Sequence, residues 1–329
     1  MVHVLGAGSA YPTSLLTDDF LREVVPGAFE YPELLPRTSI ACRSSVLPSD
    51  VIRDGKNKDL LEARSLAQCS PTHLAVTAVE QALLRAGITK EQVGLIVADT
   101  ATPFQTCPSE AQRIGGALGL KIPAYDVVGG VGAFSLFFNL LSSWSEHRVP
   151  DYCVWVSTNT PTLHVDYTAA RGVEPLIYGD GAAAVVVSTR ISGTLSIARS
   201  SLHARPSADP TSTIDRYISY HPDRVPGSHL VVDEVRAAIH VARGASAPQG
   251  RLFIAGPQLA LRDVEEAVRL SEGADVGILD SSSRHGFTLG SAAMLAVADG
   301  WDQYRSGDSI IIAQVGDGFS AACELVVSE

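Results

Sequence analysis

Residues 124–138 read AYDVVGGVGAFSLFF. An apolar run stops at a glycine pair, and a second apolar run with helix-like spacing follows it. The stretch predicts a strand over 124–128 and a helix over 133–147, joined by a glycine corner. Corners that lead from a strand into a helix commonly present a reactive side chain to a cleft. Here the residue in that place is Val131, which has no reactive atom.

The same order of elements occurs twice along the chain. Strand, glycine turn, helix and strand follow one another at 124–158 and, in looser form, at 278–316. A glycine–Asp–glycine turn leads into a strand of small and β-branched residues at 179–188, and again at 316–327. Alternating strands and helices are typical of a mainly parallel sheet covered by helices. The repeat predicts an internal duplication of two halves packed as one body.

Composition excludes several classes of function. The chain has 329 residues and a net charge of −11, which argues against binding to nucleic acid phosphates. It contains no apolar stretch of about 20 residues, so no membrane span is expected. Its start does not resemble a signal peptide. An odd number of cysteines, with no CxxC spacing, indicates reduced thiols and a cytoplasmic location; these are Cys42, Cys69, Cys107, Cys153 and Cys323.

Cofactor motifs are incomplete or missing in the sequence. GAGSAY, at 6–11, has Tyr11 where the dinucleotide fingerprint needs its third glycine. The sequence has no GxxxxGK[ST] phosphate loop and no GxSxG elbow. The nine histidines show no spacing that suits a metal. We therefore expect neither a bound cofactor nor a metal.

Segments along nearly the whole chain resemble the thiolase superfamily, most closely the β-ketoacyl-acyl-carrier-protein synthase III branch. The resemblance implies an α/β thiolase fold with duplicated α-β-α-β-α layered halves around mainly parallel, five-stranded-type central sheets. It predicts a first half at 1–175, with cap insertions at about 17–68, and a second half at 176–329. The segments that carry it are VLGAGSAYP (4–12), PRTSI (36–40), AGITKEQVGLIVADTAT (86–102), CPSEAQRIGGALGL (107–120), AYDVVGGVGAF (124–134), AARGVEPLIYGDGAAAVVV (169–187), RHGFTLGSAA (284–293) and GDSIIIAQVGDGFS (307–320).

Enzymes of this branch use a Cys–His–Asn triad. Their AFDVxxxCxGF motif matches AYDVVGGVGAF, which puts Val131 at the position of the nucleophile. Their PHQAN-like motif matches GPQLA, which puts Pro257 at the position of the histidine and Ala260 at that of the closing asparagine. Their GNTSAAS-like turn matches GFTLGSA, which puts Phe287 at the position of the catalytic asparagine.

These replacements predict the loss of the family's condensation chemistry. A valine cannot form a thioester, and neither proline nor phenylalanine offers a side-chain hydrogen bond. No cysteine lies between Cys107 and Cys153, so no shift of the alignment restores the nucleophile. Triad members act as a unit, and the loss of all three should abolish the reaction.

The first hypothesis is a catalytically degenerate subunit that pairs with an active ketosynthase or acyltransferase and shapes its acyl pocket. The resemblance implies a homodimer, or a heterodimer with an active ketosynthase III-like chain. It also implies that the segment 102–109 reaches the partner's pocket, so that Cys107 lines it. Val131 and Phe287 would fill the unused cavity of this chain, and its pocket would further include Gly316, Gly318 and Phe319.

Two other hypotheses stay open. An active acyltransferase of specialised metabolism could move an acyl group from coenzyme A or acyl-carrier protein by another route, with Ser135 and His285 as substitutes for the triad. A binding module for acyl-carrier protein or coenzyme A thioesters could use Arg171, which matches an arginine that contacts the nucleotide in the family, together with Arg37. Coenzyme A or a phosphopantetheine thioester would then be a substrate, and acyl-carrier protein a partner.

Overall fold

The structure is a computed structural model, and several parts of the chain fall outside the residues that it describes. The described residues are 1–30, 38–144, 149–168, 172–204, 212–214, 216–221, 227–245, 250–271, 276–316 and 319–328. No helix within these ranges is long and apolar enough to cross a membrane.

Strands and helices alternate through most of the chain. The strands are β1 (His3–Ala10), β2 (Ser14–Thr17), β3 (Cys42–Ser45), β4 (Leu95–Asp99), β5 (Ala124–Asp126), β6 (Cys153–Asn159), β7 (Gly181–Ser188), β8 (Leu195–Ala204), β9 (Ser212–Ile214), β10 (Ile218–Tyr220), β11 (Leu252–Ala255), β12 (Val276–Ile278), β13 (Ser309–Gly316) and β14 (Phe319–Val327). The helices are α1 (Asp18–Val24), α2 (Ser49–Arg53), α3 (Leu60–Leu66), α4 (Pro71–Ala86), α5 (Glu110–Ala117), α6 (Ala133–Ser143), α7 (Glu174–Ile177), α8 (Ser228–Ala245), α9 (Leu261–Leu270), α10 (Ser282–His285) and α11 (Ala292–Asp299).

The main sheet shows the predicted duplication. Its ten strands run β12-β11-β13-β14-β8-β1-β7-β6-β4-β5. Five strands come from each half in the same spatial order, and the halves join where β1 pairs antiparallel with β8. Parallel pairs, β4 with β5 and β6, and β11 with β12 and β13, occupy the outer parts of the sheet.

The repeat of strand order divides the chain later than the sequence predicts. β7 is hydrogen bonded to β6 on one side and to β1 on the other, so it belongs with the strands of the first half. The second half begins with β8. The division between the halves therefore falls between β7 and β8, after the predicted boundary at 175.

The cap region at 17–68 contains more regular structure than its mixed composition suggests. β2, which ends at Thr17, pairs antiparallel with β3, and the region also holds the short helices α1, α2 and α3. Thr17 caps α1 through its side chain, and the Asp59 carboxylate accepts the Leu61 and Glu62 N–H groups at the start of α3. In the second half, α11 is flanked by two short 3₁₀ turns, Leu289–Ser291 and Trp301–Gln303.

Gly6 and Gly8, in the GAGSAY stretch at 6–11, let helix α4 pack closely against strand β1. A Cβ added to Gly6 would lie 2.3 Å from the Ala82 carbonyl oxygen, and one added to Gly8 would lie 2.1 Å from the Ala78 carbonyl oxygen. Both distances are far below van der Waals contact, so only glycine lets α4 approach β1 this closely. The glycines of GAGSAY therefore have a packing role within the fold.

The glycine corner of the first half meets its counterpart in the second half. The corner at 129–132 leads from β5 into α6, and the turn at 288–291 follows β12 and the short helix α10 and leads into α11. A Cβ on Gly290 would lie 2.6 Å from the Gly130 carbonyl oxygen, so the two turns touch through their backbones. This contact places the starts of α6 and α11 side by side in the centre of the molecule.

Candidate functional site

A small apolar cavity lies where these two turns meet. Its interior volume is about 60 Å³, enough for a few water molecules or a short apolar group. Its walls come from Val131, Val231, the loop 256–260, the start of α11 with Phe287 and Leu289 before it, and the end of β13 at 314–316. The structure therefore brings Val131, Pro257 and Phe287, predicted from three distant segments, together around one cavity.

Other residues predicted for the site fall in different places. Ala260 and Gly316 also line the cavity. Cys107 is exposed in the loop between β4 and α5, away from the cavity of its own chain. Arg37, Arg171 and Gly318 lie outside the described residues, and so does the side chain of Phe319.

The corner before α6 is held by a buried carboxylate. Asp99, at the end of β4, accepts a hydrogen bond from the Gly129 N–H at 2.9 Å and one from the Ser157 hydroxyl at 2.7 Å. Burial raises the pKa of Asp99 to about 6, and the two hydrogen bonds oppose that rise. Gly130 adopts a φ of 55°, so the corner needs glycine there to turn.

A buried glutamine joins the cavity loop at 256–260 to the segment that follows β12. The Gln258 Nε2 donates to the carbonyl oxygens of Gly256 (3.0 Å) and Leu279 (3.3 Å). Its Oε1 accepts the Ser281 N–H at 3.1 Å. All these partners are backbone groups. The amide therefore holds the two segments together, and its hydrogen-bonding groups are already used within the protein.

Ser135 bonds across to another strand. Its hydroxyl, buried in the first turn of α6, donates to Gln314 Oε1 at 2.9 Å. The Gln314 Nε2 in turn donates to the Val131 carbonyl oxygen. The hydroxyl is therefore bonded to an amide, which is not a base that could activate it for attack.

His285 packs away from the cavity. Its ring stacks on Tyr11, with the ring centroids 3.6 Å apart, and its Nδ1 is hydrogen bonded to Ser44 Oγ at 2.8 Å. Burial lowers the pKa of His285. The residue is absent from the described lining of the cavity and is not bonded to Ser135. The structure thus does not bring the two proposed substitutes together.

Leu289 has an unusual backbone conformation at the cavity wall. Its φ is 54°, and no other non-glycine residue in the described ranges has a positive φ. Such a conformation costs on the order of 1 kcal/mol and persists only where the surroundings enforce it. Phe287, two residues earlier, packs near the Tyr178 ring at a centroid distance of 6.2 Å.

The Asp180 side chain of the first glycine–Asp–glycine turn is structural. It is fully buried and accepts the N–H groups of Val46 (2.7 Å) and Thr162 (2.9 Å), together with the Thr162 hydroxyl. Burial raises the pKa of Asp180 to about 7. The turn therefore ties β7 to the cap region and to the loop after β6.

Little chemistry is available at the cavity itself. The polar side chains in its described lining are the two glutamines, and both use their amides on protein partners. Within the described ranges, no group of three His, Cys, Asp or Glu side chains could hold a metal ion. The arrangement suits the binding of an uncharged apolar group.

The fold has many counterparts among solved structures. The 3-oxoacyl-[acyl-carrier-protein] synthase III from Aquifex aeolicus VF5 superimposes with a TM-score of 0.79 at 20% identity, covering 99% of this chain and 100% of that chain. The priming β-ketosynthase from the R1128 polyketide biosynthetic pathway gives a TM-score of 0.78 at 20% identity, covering 100% and 96%. The chain has the thiolase fold.

Sequence comparison gives homologues of the same kind. The chain is 24% identical to a β-ketoacyl-[acyl-carrier-protein] synthase III from Citrobacter koseri and 25% identical to one from Rhodospirillum centenum, and each alignment covers 98% of both proteins. Among thiolase-fold structures, AbyA1, a tetronic acid condensing enzyme, also matches, with a TM-score of 0.77 at 17% identity and coverage of 99% and 100%. No protein-family model matches the chain.

Three residues that organise this site were not among the predicted ones. Asp99, Gln258 and Gln314 each hold a wall of the cavity by hydrogen bonds to a separate segment. The available signal for two of them was a polar residue inside an apolar strand, in LIVAD for Asp99 and IIIAQV for Gln314. A buried polar group needs a partner, but the sequence does not say where that partner lies.

Proposed function

We propose that this chain is a catalytically degenerate ketosynthase III-like subunit that pairs with an active ketosynthase or acyltransferase and shapes its acyl pocket. The observation that carries the proposal is the apolar cavity around Val131, Pro257 and Phe287. The resemblance puts these positions at the family's Cys, His and Asn, and the three side chains line one cavity. Hydrocarbon at all three leaves the thiolase fold in place without its chemistry.

The cavity's small size supports the same proposal. An empty apolar cavity destabilises a protein in proportion to its volume. Val131 and Phe287 occupy space that a substrate would otherwise need, and Phe287 is only 5% exposed. A protein that no longer binds a thioester at this place gains stability from such filling.

The edge of the sheet at β5 supports pairing with another chain. β5 is the last strand of the main sheet on its side, and an edge strand presents unpaired N–H and C=O groups. Tyr125 is 38% exposed and Val128 is 64% exposed beside it. The nearby loop at 102–109 exposes Cys107, so a partner docked at this edge would meet that loop.

The proposal is tested by purification and by activity. The tagged chain is purified from its producing cells, and the second chain that comes with it is identified by mass spectrometry. A partner that carries the intact Cys, His and Asn motifs is expected, and its acyl chain-length preference should change when this chain is removed. A chain that purifies alone, or a partner whose products do not change, would contradict the proposal.

A matched pair of variants localises the contact. Tyr125→Glu places a charge at the β5 edge and should abolish copurification of the partner. Leu84→Glu places the same charge at an apolar side chain that is 79% exposed on α4, away from that edge, and should leave copurification unchanged. Equal loss in both variants would show that added charge alone, and not this edge, disrupts the complex.

A further inference from the structure

Gln314 is a buried amide in an otherwise apolar strand. β13 reads SIIIAQVG, and the Gln314 side chain is 4% exposed. Burying an amide costs several kcal/mol unless its groups are hydrogen bonded. The Gln314 amide has two hydrogen-bond partners. Its Oε1 accepts from the Ser135 hydroxyl in α6, and its Nε2 donates to the Val131 carbonyl oxygen in the corner before α6.

These bonds join two walls of the cavity. Val131 and Gln314 both line it, one from the corner before α6 and the other from the end of β13. The corner consists mainly of glycine, so it has little side-chain packing of its own. Asp99 fixes the Gly129 N–H at one end of the corner, and Gln314 fixes the Val131 carbonyl at the other.

We infer that Gln314 sets the size of the apolar group that this chain's own cavity accepts, an inference that goes beyond the proposed function, in which the chain acts on the pocket of a partner. The amide occupies one wall and, through Val131 and Ser135, stops the corner from moving outward. Because Gln258 and Gln314 use their polar groups on the protein, a charged ligand would lose its hydration without compensation. The matching ligand class is a neutral, compact alkyl or acyl group.

The test uses straight-chain alcohols from butanol to decanol as probes of the purified, full-length chain. Binding is measured by calorimetry and by chemical-shift changes of methyl groups at Leu289 and Ala292, which line the cavity. Each methylene that enters an apolar site strengthens binding about fourfold. In the wild type this gain should stop at a short chain length, because the cavity is then full.

Two variants carry the inference. Gln314→Ala removes the amide and its hydrogen bonds to Ser135 and Val131. In this variant the fourfold gain per methylene should continue for about two more methylenes than in the wild type, which raises the affinity for the longer alcohols roughly fifteenfold. Thr158→Ala is the matched control, since it also deletes a buried side-chain hydrogen bond, to the Pro71 carbonyl at 2.9 Å, but away from the cavity. Thr158→Ala should keep the wild-type limit. Circular dichroism verifies that both variants are folded.

Three results would overturn the inference. They are an unchanged length limit in folded Gln314→Ala, the same extension in Thr158→Ala, and no binding of any alcohol to the wild type or to Gln314→Ala. None of these depends on a partner chain. Failure of the pairing proposal is seen separately, in the copurification experiment.

Discussion

The Asp99 carboxylate accepts the Gly129 N–H at 2.9 Å and so ties the end of one buried strand to the corner that begins α6. The same carboxylate accepts the Ser157 hydroxyl from the neighbouring strand β6. One side chain therefore holds the backbone just before the 3₁₀ turn that leads into α6. The Val131 position depends on this anchor, although Asp99 is not part of the cavity wall.

Replacing Asp99 by alanine should destabilise the protein. The Gly129 N–H and the Ser157 hydroxyl would lose their buried acceptor, at a cost of about 1–3 kcal/mol for each unsatisfied group. Asp99→Asn keeps an acceptor and should cost less. Urea unfolding measures the difference, with Asp302→Ala as a control at an exposed ion pair to Arg85. The control should change the free energy of unfolding by less than about 1 kcal/mol, and a similarly small effect for Asp99→Ala would refute the anchoring role.

Asp180 should make the stability fall as the pH rises. Burial raises the pKa of its carboxyl from 3.8 to about 7, so the folded state holds this proton more tightly than the unfolded state does. The stabilisation is complete below the unfolded value and is lost as the pH rises toward 7. Between pH 5 and pH 8 this contributes a loss of about 2–3 kcal/mol.

The Asp180→Asn variant isolates that contribution, because asparagine does not titrate. Subtracting its unfolding free energy from that of the wild type at each pH removes the effects of Asp99 and of the histidines, which are present in both proteins. The unfolding free energy of the wild type minus that of Asp180→Asn should decrease from pH 5 to pH 7 and then level off. A difference independent of pH would show that Asp180 is already ionised at pH 5.

Two glycine-to-alanine changes should have opposite signs. Gly8→Ala adds a Cβ 2.1 Å from the Ala78 carbonyl oxygen and should destabilise the protein by more than about 2 kcal/mol, because α4 must move away from β1. Gly116→Ala adds a methyl group in α5 with nothing within 4 Å, and should stabilise by about 0.5–1 kcal/mol. Thermal and urea unfolding compare them. Equal effects would mean that the close packing of α4 on β1 is not as described.

Restoring the sulfur alone should not restore condensation. Val131→Cys supplies a thiol at the corner, but Pro257 and Phe287 still offer no side-chain donor for the developing charge. The measurement is release of labelled carbon dioxide from a malonyl thioester, beside an active ketosynthase III as positive control. Turnover by the single variant would show that Pro257 and Phe287 do not limit the chemistry.

The alternation of strands and helices could be predicted because its signals are local, whereas the thiolase fold itself was expected from the resemblance. Glycine turns, capped helices such as α4, and apolar strands are set by neighbouring residues, and the second half repeats the first. Val131, Pro257 and Phe287 each sit in a segment that resembles a family motif, and the structure brings the three residues to one cavity.

The polar anchors of the site could not be placed from the sequence. Gln314 bonds to residues 179 and 183 positions away, and Asp99 to one 30 positions away, so no local pattern contains both partners. The hydrogen-bond partner of Ser135 could not be predicted for the same reason. A buried helical serine usually bonds to its own helix, and only the approach of β13 provides Gln314 instead.

The central claim is that the cavity at Val131 forms no covalent acyl intermediate. Its most direct measurement is incubation of the pure chain with labelled acetyl, malonyl and longer acyl thioesters of coenzyme A and acyl-carrier protein, followed by intact-protein mass spectrometry. We predict no acyl adduct on this chain, and an adduct on the active partner when the two are mixed. An acyl group bonded to this chain within the cavity would contradict the account.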